Sequence, residues 1–393
     1  MGFSIELLLL LLLVAAVVSL LARRLGIPYS VGLVVTGMVL AVQGIGANVP
    51  VTKEVIFNVL LPPLIFEAAL FLPWKDLRPE MPVLVTMATV GVVLAAAVVA
   101  AGMHYIVDWP WISASIFGAL IAATDPVAVI ATFKEAGAKG RLRVLVEAES
   151  LFNDGTAAVL FGIIAGIAMG DEATVGGAAV SLIVTVGGGI ACGGAVALAV
   201  LYLAGHTDEV FVEIMLTNIG AYGSFLLAEH FHTSGVLATL TAGLMIGSMG
   251  ALKGLSKRGR IAVEAFWEYG AFVANSLIFL LLGMREAQQN FSGMWWPALV
   301  GVAVVTAGRA IAIYPVSAVF RQSRLRLSWS HQHILFWGGL RGALALALVL
   351  GLPKSIPMHD QIVTVSFVVV AFSILVQSVT VAPLLRRLGE IPG

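Results

Sequence analysis

The sequence is poor in charge and nearly free of cysteine. Only 11% of its 393 residues are charged, whereas 60% are hydrophobic and the mean hydropathy is +1.01. A soluble protein of this length could not bury so much apolar surface, so the composition predicts a polytopic α-helical membrane protein. Lys+Arg and Asp+Glu balance at 22 each, which argues against a nucleic-acid surface. Cys192 is the only cysteine, which excludes a disulfide within the chain.

Hydropathy and turn residues predict thirteen membrane spans in an all-α fold. The first apolar run could be read as a signal sequence, but Arg23 and Arg24 follow it without a clear cleavage site, so it is counted as a span. No segment between the spans is long enough to fold alone, and no soluble C-terminal domain is expected. The predicted spans are 3–22, 29–46, 54–72, 81–107, 111–134, 144–169, 174–204, 209–230, 233–251, 262–284, 293–320, 329–352 and 360–385.

Basic residues are distributed unequally between the predicted loops. One set of alternate loops holds seventeen Lys and Arg residues, whereas the other set holds only Lys53, Arg285 and Lys354. Because basic loops remain in the cytoplasm, this bias predicts an outside N-terminus and a cytoplasmic C-terminus. Few lysines and no targeting segment suit the inner membrane of a bacterial cell.

Two predicted spans are interrupted at membrane depth. Span five contains Thr124-Asp125-Pro126, and span twelve contains Gly338-Gly339-Leu340-Arg341-Gly342. Proline disfavours helix at the preceding residue, so span five is expected to unwind at Asp125 and free its carbonyls; a simple packing kink is the alternative. The breaks lie seven spans apart, so spans one to six and eight to thirteen could be inverted repeats, and paired breaks indicate a transporter's binding site. Asp125 and Arg341 could neutralise the half-helix ends that meet there.

A polar segment lies inside predicted span six. Ser150 and Asp154 share one helix face, and Glu149 and Asn153 form a second i,i+4 pair beside them. A carboxylate at membrane depth is costly, so Asp154 is the candidate carrier of a cation or a proton, with a purely structural Asp as the alternative. Oxygen ligands of this kind suit a small hard cation. Asn153 is neutral, so one carboxylate would trade one proton for one monovalent cation, which favours electroneutral exchange.

Three charged residues besides Asp154, Asp125 and Arg341 lie at membrane depth, namely Glu149, Arg309 and Glu67. Glu149 is expected to pair with Arg309 in span eleven, because losing one member would strand the other charge in lipid. The alternative is that Arg309 faces a water-filled cavity. Glu67 in span three is either an extra ligand or gate, or a hydrogen-bond partner for a neighbouring helix.

Four motifs occur in order along the chain. They are Leu-Pro-Pro-Leu-Ile-Phe-Glu in span three, Thr-Asp-Pro-Val-Ala-Val in span five, Glu-Ser-Leu-Phe-Asn-Asp-Gly-Thr-Ala in span six and Gly-Gly-Leu-Arg-Gly-Ala in span twelve. Together they resemble the sodium/proton antiporters of the NhaP/NHE class, in the cation/proton antiporter-1 family. The resemblance implies a homodimer of thirteen-helix subunits, each with two inverted six-helix repeats and crossed broken helices. A core at about 81–169 and 293–389 would move against an interface part at about 1–72 and 174–284.

The resemblance also implies roles for the polar residues. Asp154 would bind Na⁺ or H⁺, the Na⁺ being held by Asp154, Ser150 and Thr124, with Asn153 in support. Asp125 and Arg341 would belong to the crossed helices, Glu149 and Arg309 to a core ion pair, and Glu67 to the boundary of the two parts. Besides the substrate ions Na⁺ (or Li⁺ or K⁺) and H⁺, no cofactor is expected.

Two other functions are open to this composition. A cation channel is expected to show repeated filter elements or charged rings, and the sequence contains neither. An intramembrane enzyme could use Asp125 and Asp154 as an acid dyad or His230 and His232 as metal ligands. The two histidines stand at i,i+2 and point to different helix faces. A secondary active antiporter, not an enzyme, is therefore the expected function.

Overall fold

The computed structural model describes residues 5–45, 54–125, 129–130, 133, 140–170, 175–253, 256–287 and 293–391. These residues are almost entirely helical and contain no β-strand, only one isolated bridge, so the all-α prediction is confirmed. The helices are α1 Ile5–Leu25, α2 Tyr29–Val42, α3 Val55–Leu70, α4 Trp74–Val107, α5 Trp111–Leu120, α6 Arg141–Met169, α7 Val175–Ala204, α8 Val210–His230, α9 Gly235–Lys253, α10 Lys257–Glu286, α11 Trp295–Val319, α12 Trp329–Trp337, α13 Ala343–Leu350 and α14 His359–Arg387.

Most of these helices have the length and composition of membrane spans. Eight in the described ranges are long and apolar enough to cross a membrane, namely α1, α4, α6, α7, α8, α10, α11 and α14. Four shorter apolar helices are α2, α3, α5 and α9. The chain is therefore a multi-pass membrane protein, as predicted, whereas the number of thirteen spans stays a prediction.

Two helices begin five or more residues earlier than predicted. α4 begins at Trp74 instead of 81, directly after Pro73, whose extended backbone ends the preceding turn. α10 begins at Lys257 instead of 262, because the Ser256 side chain accepts a hydrogen bond from the Gly259 N–H at 2.9 Å and caps the helix. The charged residues at the start of α4 and α10, which suggest a loop in the sequence, form the first turns of these two helices.

The helices pack tightly through small residues. α4 packs against α5 and α11, while α2 and α3 pack against α10, and α9 packs against α3 and α7. At the crossing of α2 and α10, a methyl group on Gly37 would overlap the Leu280 carbonyl, and one on Gly283 would overlap the Val34 carbonyl. The two backbones therefore touch directly, the close approach that small residues permit in membrane helices. The division into a moving core and an interface part stays a prediction.

Two chain segments break at the same place. α5 ends at Leu120 and the chain is no longer helical at Asp125, while α12 ends at Trp337 and α13 begins at Ala343. The two breaks meet in an isolated antiparallel bridge in which the Asp125 N–H donates to the Leu340 carbonyl at 2.8 Å. The break in span twelve lies where it was predicted, but α5 ends five residues before Asp125. Pro126 itself lies outside the described residues.

Candidate ion-binding site

Arg341 binds the carbonyls that follow α5. Its Nη1 donates to the carbonyls of Ala123 at 3.1 Å and Ala122 at 3.4 Å. The Arg341 backbone N–H donates to Ser373 Oγ at 2.8 Å, which fixes the break against α14. The guanidinium thus lies at the carbonyl end of α5, where a positive charge is favourable.

Asp125 occupies the complementary position. Its Oδ2 accepts a hydrogen bond from the Ala343 N–H, the first residue of α13, at 3.4 Å. A Cβ on Gly342 would overlap this carboxylate, so only glycine leaves room for it. A negative charge at a helix N-terminus offsets the partial positive charge of the free N–H groups.

Thr124 joins the broken chain to α6. Ser150 Oγ donates to the Thr124 carbonyl and lies 3.0 Å from Thr124 Oγ1, and Asn153 Nδ2 donates to the same Oγ1 at 3.2 Å. The Asp154 carboxylate lies beside the backbone of Thr124. The structure therefore brings together all four residues that were predicted around the ion.

Two oxygen atoms of this cluster have free acceptor capacity. Asp154 Oδ1 and Asn153 Oδ1 are buried, and neither has a hydrogen-bond partner among the described residues. Unpaired buried oxygens are costly, and they persist where a ligand completes them. A carboxylate, an amide oxygen and a backbone carbonyl are hard ligands that suit a monovalent cation.

Glu149 and Arg309 form a buried ion pair beside the cluster. Arg309 Nη1 and Nη2 lie 2.5 Å and 2.9 Å from the two Glu149 carboxylate oxygens, and the side chains are 6% and 3% exposed. Arg309 also donates to the Leu335 carbonyl in the last turn of α12, at 2.7 Å from Nη2. Asn153 Nδ2 donates to Glu149 Oε1 at 2.5 Å. The pair therefore connects α6, α11 and α12 and holds the amide of Asn153 next to Asp154.

A large cavity leads to the cluster. Its volume is about 1260 Å³, and it extends from Asp154 to the chain segments that carry Arg23 and Arg386. Glu67 lies on α3, which is not one of the helices that form the cluster. It lines the same cavity. The polar and charged residues that line the cavity are Ser19, Arg23, Tyr29, Glu67, Thr124, Asp125, Asp154, Glu268, Asn275 and Arg386.

Sequence reasoning missed several of these contacts. Asn275 lies in the middle of predicted span ten, and an amide at membrane depth was a signal that could have identified it. Glu213 is fully buried and accepts from the Ser256 N–H at 2.9 Å. Nothing in the local pattern indicates that the Leu335 carbonyl and Ser373 would contact the two arginines, because these contacts exist only after the helices cross.

Discontinuous helices that meet beside a buried carboxylate, in a multi-pass membrane protein, define the class of secondary transporters. The chain belongs to the sodium/hydrogen exchanger family, because the family model described as "Sodium/hydrogen exchanger, transmembrane" matches residues 9–387. The predicted family is therefore confirmed.

Characterised relatives match along most of the chain. The Na⁺/H⁺ antiporter ApNhaP of Aphanothece halophytica is 37% identical, over 93% of this chain and 70% of that protein. The Na⁺/H⁺ antiporter NhaH of Halobacillus dabanensis is 34% identical over 98% of each chain. The solved structure of the sodium proton antiporter MjNhaP1 from Methanocaldococcus jannaschii matches with a TM-score of 0.77 and 19% identity, over 98% of each chain. This last match confirms the antiporter fold.

Proposed function

We propose that this protein exchanges Na⁺ for H⁺ across the membrane, and that Asp154 holds either ion in turn. The observation that supports this most directly is the Asp154 carboxylate, which ends a large cavity and keeps one buried oxygen without a partner among the described residues. In this proposal Ser150, Thr124 and Asn153 complete the ligand set. The names of the relatives, all Na⁺/H⁺ antiporters, support the same substrates.

The charges at the crossing support a one-for-one exchange. Two arginines, Arg309 and Arg341, face three carboxylates, those of Glu149, Asp125 and Asp154, so this group has one excess negative charge when Asp154 is ionised. One proton or one monovalent cation on Asp154 makes it neutral. Moving an uncompensated carboxylate through an apolar interface costs several kcal/mol, a penalty of roughly a thousandfold in population. Only the loaded protein would therefore change sides, which couples the two fluxes.

The wider arrangement follows the predicted topology. The parts at about 81–169 and 293–389 would move as a core against 1–72 and 174–284 in an elevator-type motion within a homodimer. With a cytoplasmic C-terminus in a cell inner membrane, the cavity at Arg23 and Arg386 opens toward the cytoplasm. Li⁺ or K⁺ could replace Na⁺ in the same oxygen ligands. No cofactor is involved, and the protein is not an enzyme.

The test is transport by purified protein in liposomes. With an imposed outward proton gradient and a pH dye inside, Na⁺, Li⁺ or K⁺ is added with and without a clamped voltage. We expect cation-triggered alkalinisation that is insensitive to voltage in the wild type and absent in Asp154→Asn. Asp360→Asn is the matched control, because the Asp360 side chain is fully exposed at the start of α14.

Each outcome has a distinct meaning. Full exchange by Asp154→Asn would refute the carrier role of this residue. A response that depends on voltage would contradict the one-for-one stoichiometry while leaving the antiporter intact. Flux that does not saturate with cation concentration would favour a channel.

A further inference from the structure

Asn275 is a polar residue in the cavity that the exchange mechanism does not yet use. It lies in α10, and it lines the cavity that leads to Asp154. Its Oδ1 atom is buried and lacks a hydrogen-bond partner among the described residues. A buried oxygen without a donor has lost its hydrogen bonds to water and gained none in return. A bound ligand would supply the interaction that the Asn275 Oδ1 atom lacks.

The helix around Asn275 is firmly held. The neighbouring Ser276 hydroxyl donates to the Phe272 carbonyl at 2.5 Å and is hydrogen-bonded to the Tyr29 hydroxyl. The rings of Tyr29 and Phe272 stack with centroids 5.3 Å apart and planes inclined by 10°. This contact fixes the turn of α10 against α2. The backbone that carries Asn275 is therefore held in place by packed neighbours on the same helical turn.

Asn275 and Glu268 form a line along one face of α10. They are seven residues apart, which is two helical turns and about 10 Å along the axis, and both line the cavity. Glu268 is exposed, whereas Asn275 is half-buried, so the line runs from the open end of the cavity inward. Arg23 and Arg386 at the open end repel a cation, and Glu268 provides an opposing charge there.

We propose that Asn275 is a second coordinating residue for the transported cation. Its Oδ1 binds the partly dehydrated Na⁺ from the α10 side of the cavity, between the entrance at Glu268 and the ligands at Asp154. An amide oxygen is a hard, neutral ligand, which binds a monovalent cation without competing for the proton. The role is therefore in cation affinity and not in proton coupling. It rests on the proposed use of this cavity as the access route to Asp154.

The experiment compares Na⁺ dependence of exchange in proteoliposomes. Asn275→Leu keeps a side chain branched at Cγ and removes the oxygen, Asn275→Ala removes it with a small side chain, and Asn275→Asp retains an oxygen. The matched control is Asn218→Leu in α8, where Asn218 Nδ2 donates to the Ile214 carbonyl at 3.0 Å and does not line the cavity. Na⁺-induced thermal stabilisation of the purified protein supplies a readout that does not depend on turnover.

We expect the leucine and alanine variants to raise the KM for Na⁺ about tenfold, equivalent to about 1.4 kcal/mol, with the maximal rate within about twofold of wild type. Na⁺ should also stabilise these two variants less than wild type. Asn275→Asp should keep the KM at or below the wild-type value, and Asn218→Leu should not change it. If Asn275→Leu does not fold, the KM of Asn275→Ala for Na⁺ tests the proposal.

Three results would overturn the proposal: an unchanged KM in both apolar variants, a loss of maximal rate with the KM intact, or equal impairment by aspartate and leucine. Running Asp154→Asn in parallel separates the two proposals. If that variant is inactive while Asn275→Leu binds Na⁺ normally, only the role of Asn275 fails. If Asp154→Asn still exchanges ions, the proposed carrier fails.

Discussion

At the level of single residues, Arg309 shows how a buried charge is stabilised in this protein. Its guanidinium contacts both Glu149 oxygens and the Leu335 carbonyl. We expect Glu149→Gln to lower the unfolding free energy by about 3–5 kcal/mol, because Arg309 would remain charged without its counterion in a dry interior. Thermal denaturation of the purified protein in detergent measures the effect.

An exposed ion pair provides the comparison. Glu264→Gln removes the partner of Arg260, whose side chain is 55% exposed, and should cost less than about 1 kcal/mol. Equal shifts in the two variants would show that Glu149 contributes no more than a surface carboxylate. The ion pair of Glu149 and Arg309 could be predicted from sequence, since two opposite charges inside membrane spans are stable only when they are paired. The contact of Glu149 with the Asn153 amide agrees with their i,i+4 spacing, whereas the bond from Arg309 to the Leu335 carbonyl could not be predicted, because it joins two different helices.

At the level of elements, the break between α12 and α13 is the feature on which the site depends. Gly342 lies against the Asp125 carboxylate, and any Cβ there would displace it. We expect Gly342→Ala to reduce the exchange rate about tenfold or more, because an anion at a helix N-terminus contributes up to about 2 kcal/mol. Rates of dye-reported exchange in liposomes, normalised to folded protein, provide the measurement.

Gly162→Ala in α6 is the control for this substitution. A Cβ at Gly162 would meet no atom within 4 Å, so exchange and stability should be unaffected. Normal exchange in Gly342→Ala would mean that Asp125 does not need its present position. The existence of both breaks could be predicted from proline and glycine. The end of α5 at Leu120 could not, because the residues that follow it bond Leu340 and Arg341, more than 200 positions away in sequence.

At the level of the whole molecule, the predicted topology can be tested with single cysteines. Cys192→Ser provides a cysteine-free background. In that background, Lys354→Cys and Arg387→Cys place thiols at two exposed positions, one in each predicted set of loops. We expect a membrane-impermeant maleimide to label Lys354→Cys in intact cells and Arg387→Cys only after permeabilisation. The reverse pattern would invert the orientation and place the opening of the cavity outside.

The sequence alone determined the class of the protein, its helical content, the family and the identities of the residues at the crossing. Each of these follows from local chemistry: apolar runs must be helical in lipid, and charges within them must be paired or functional. Only the tertiary structure decided which residues line the cavity and which atoms bond the arginines. Those contacts join helices far apart in the chain, and helix rotation, which local periodicity does not define, directs each side chain. Asn275 illustrates the difference, since the sequence shows a polar residue in a span, and its place in the wall of the cavity comes from the packing of α10.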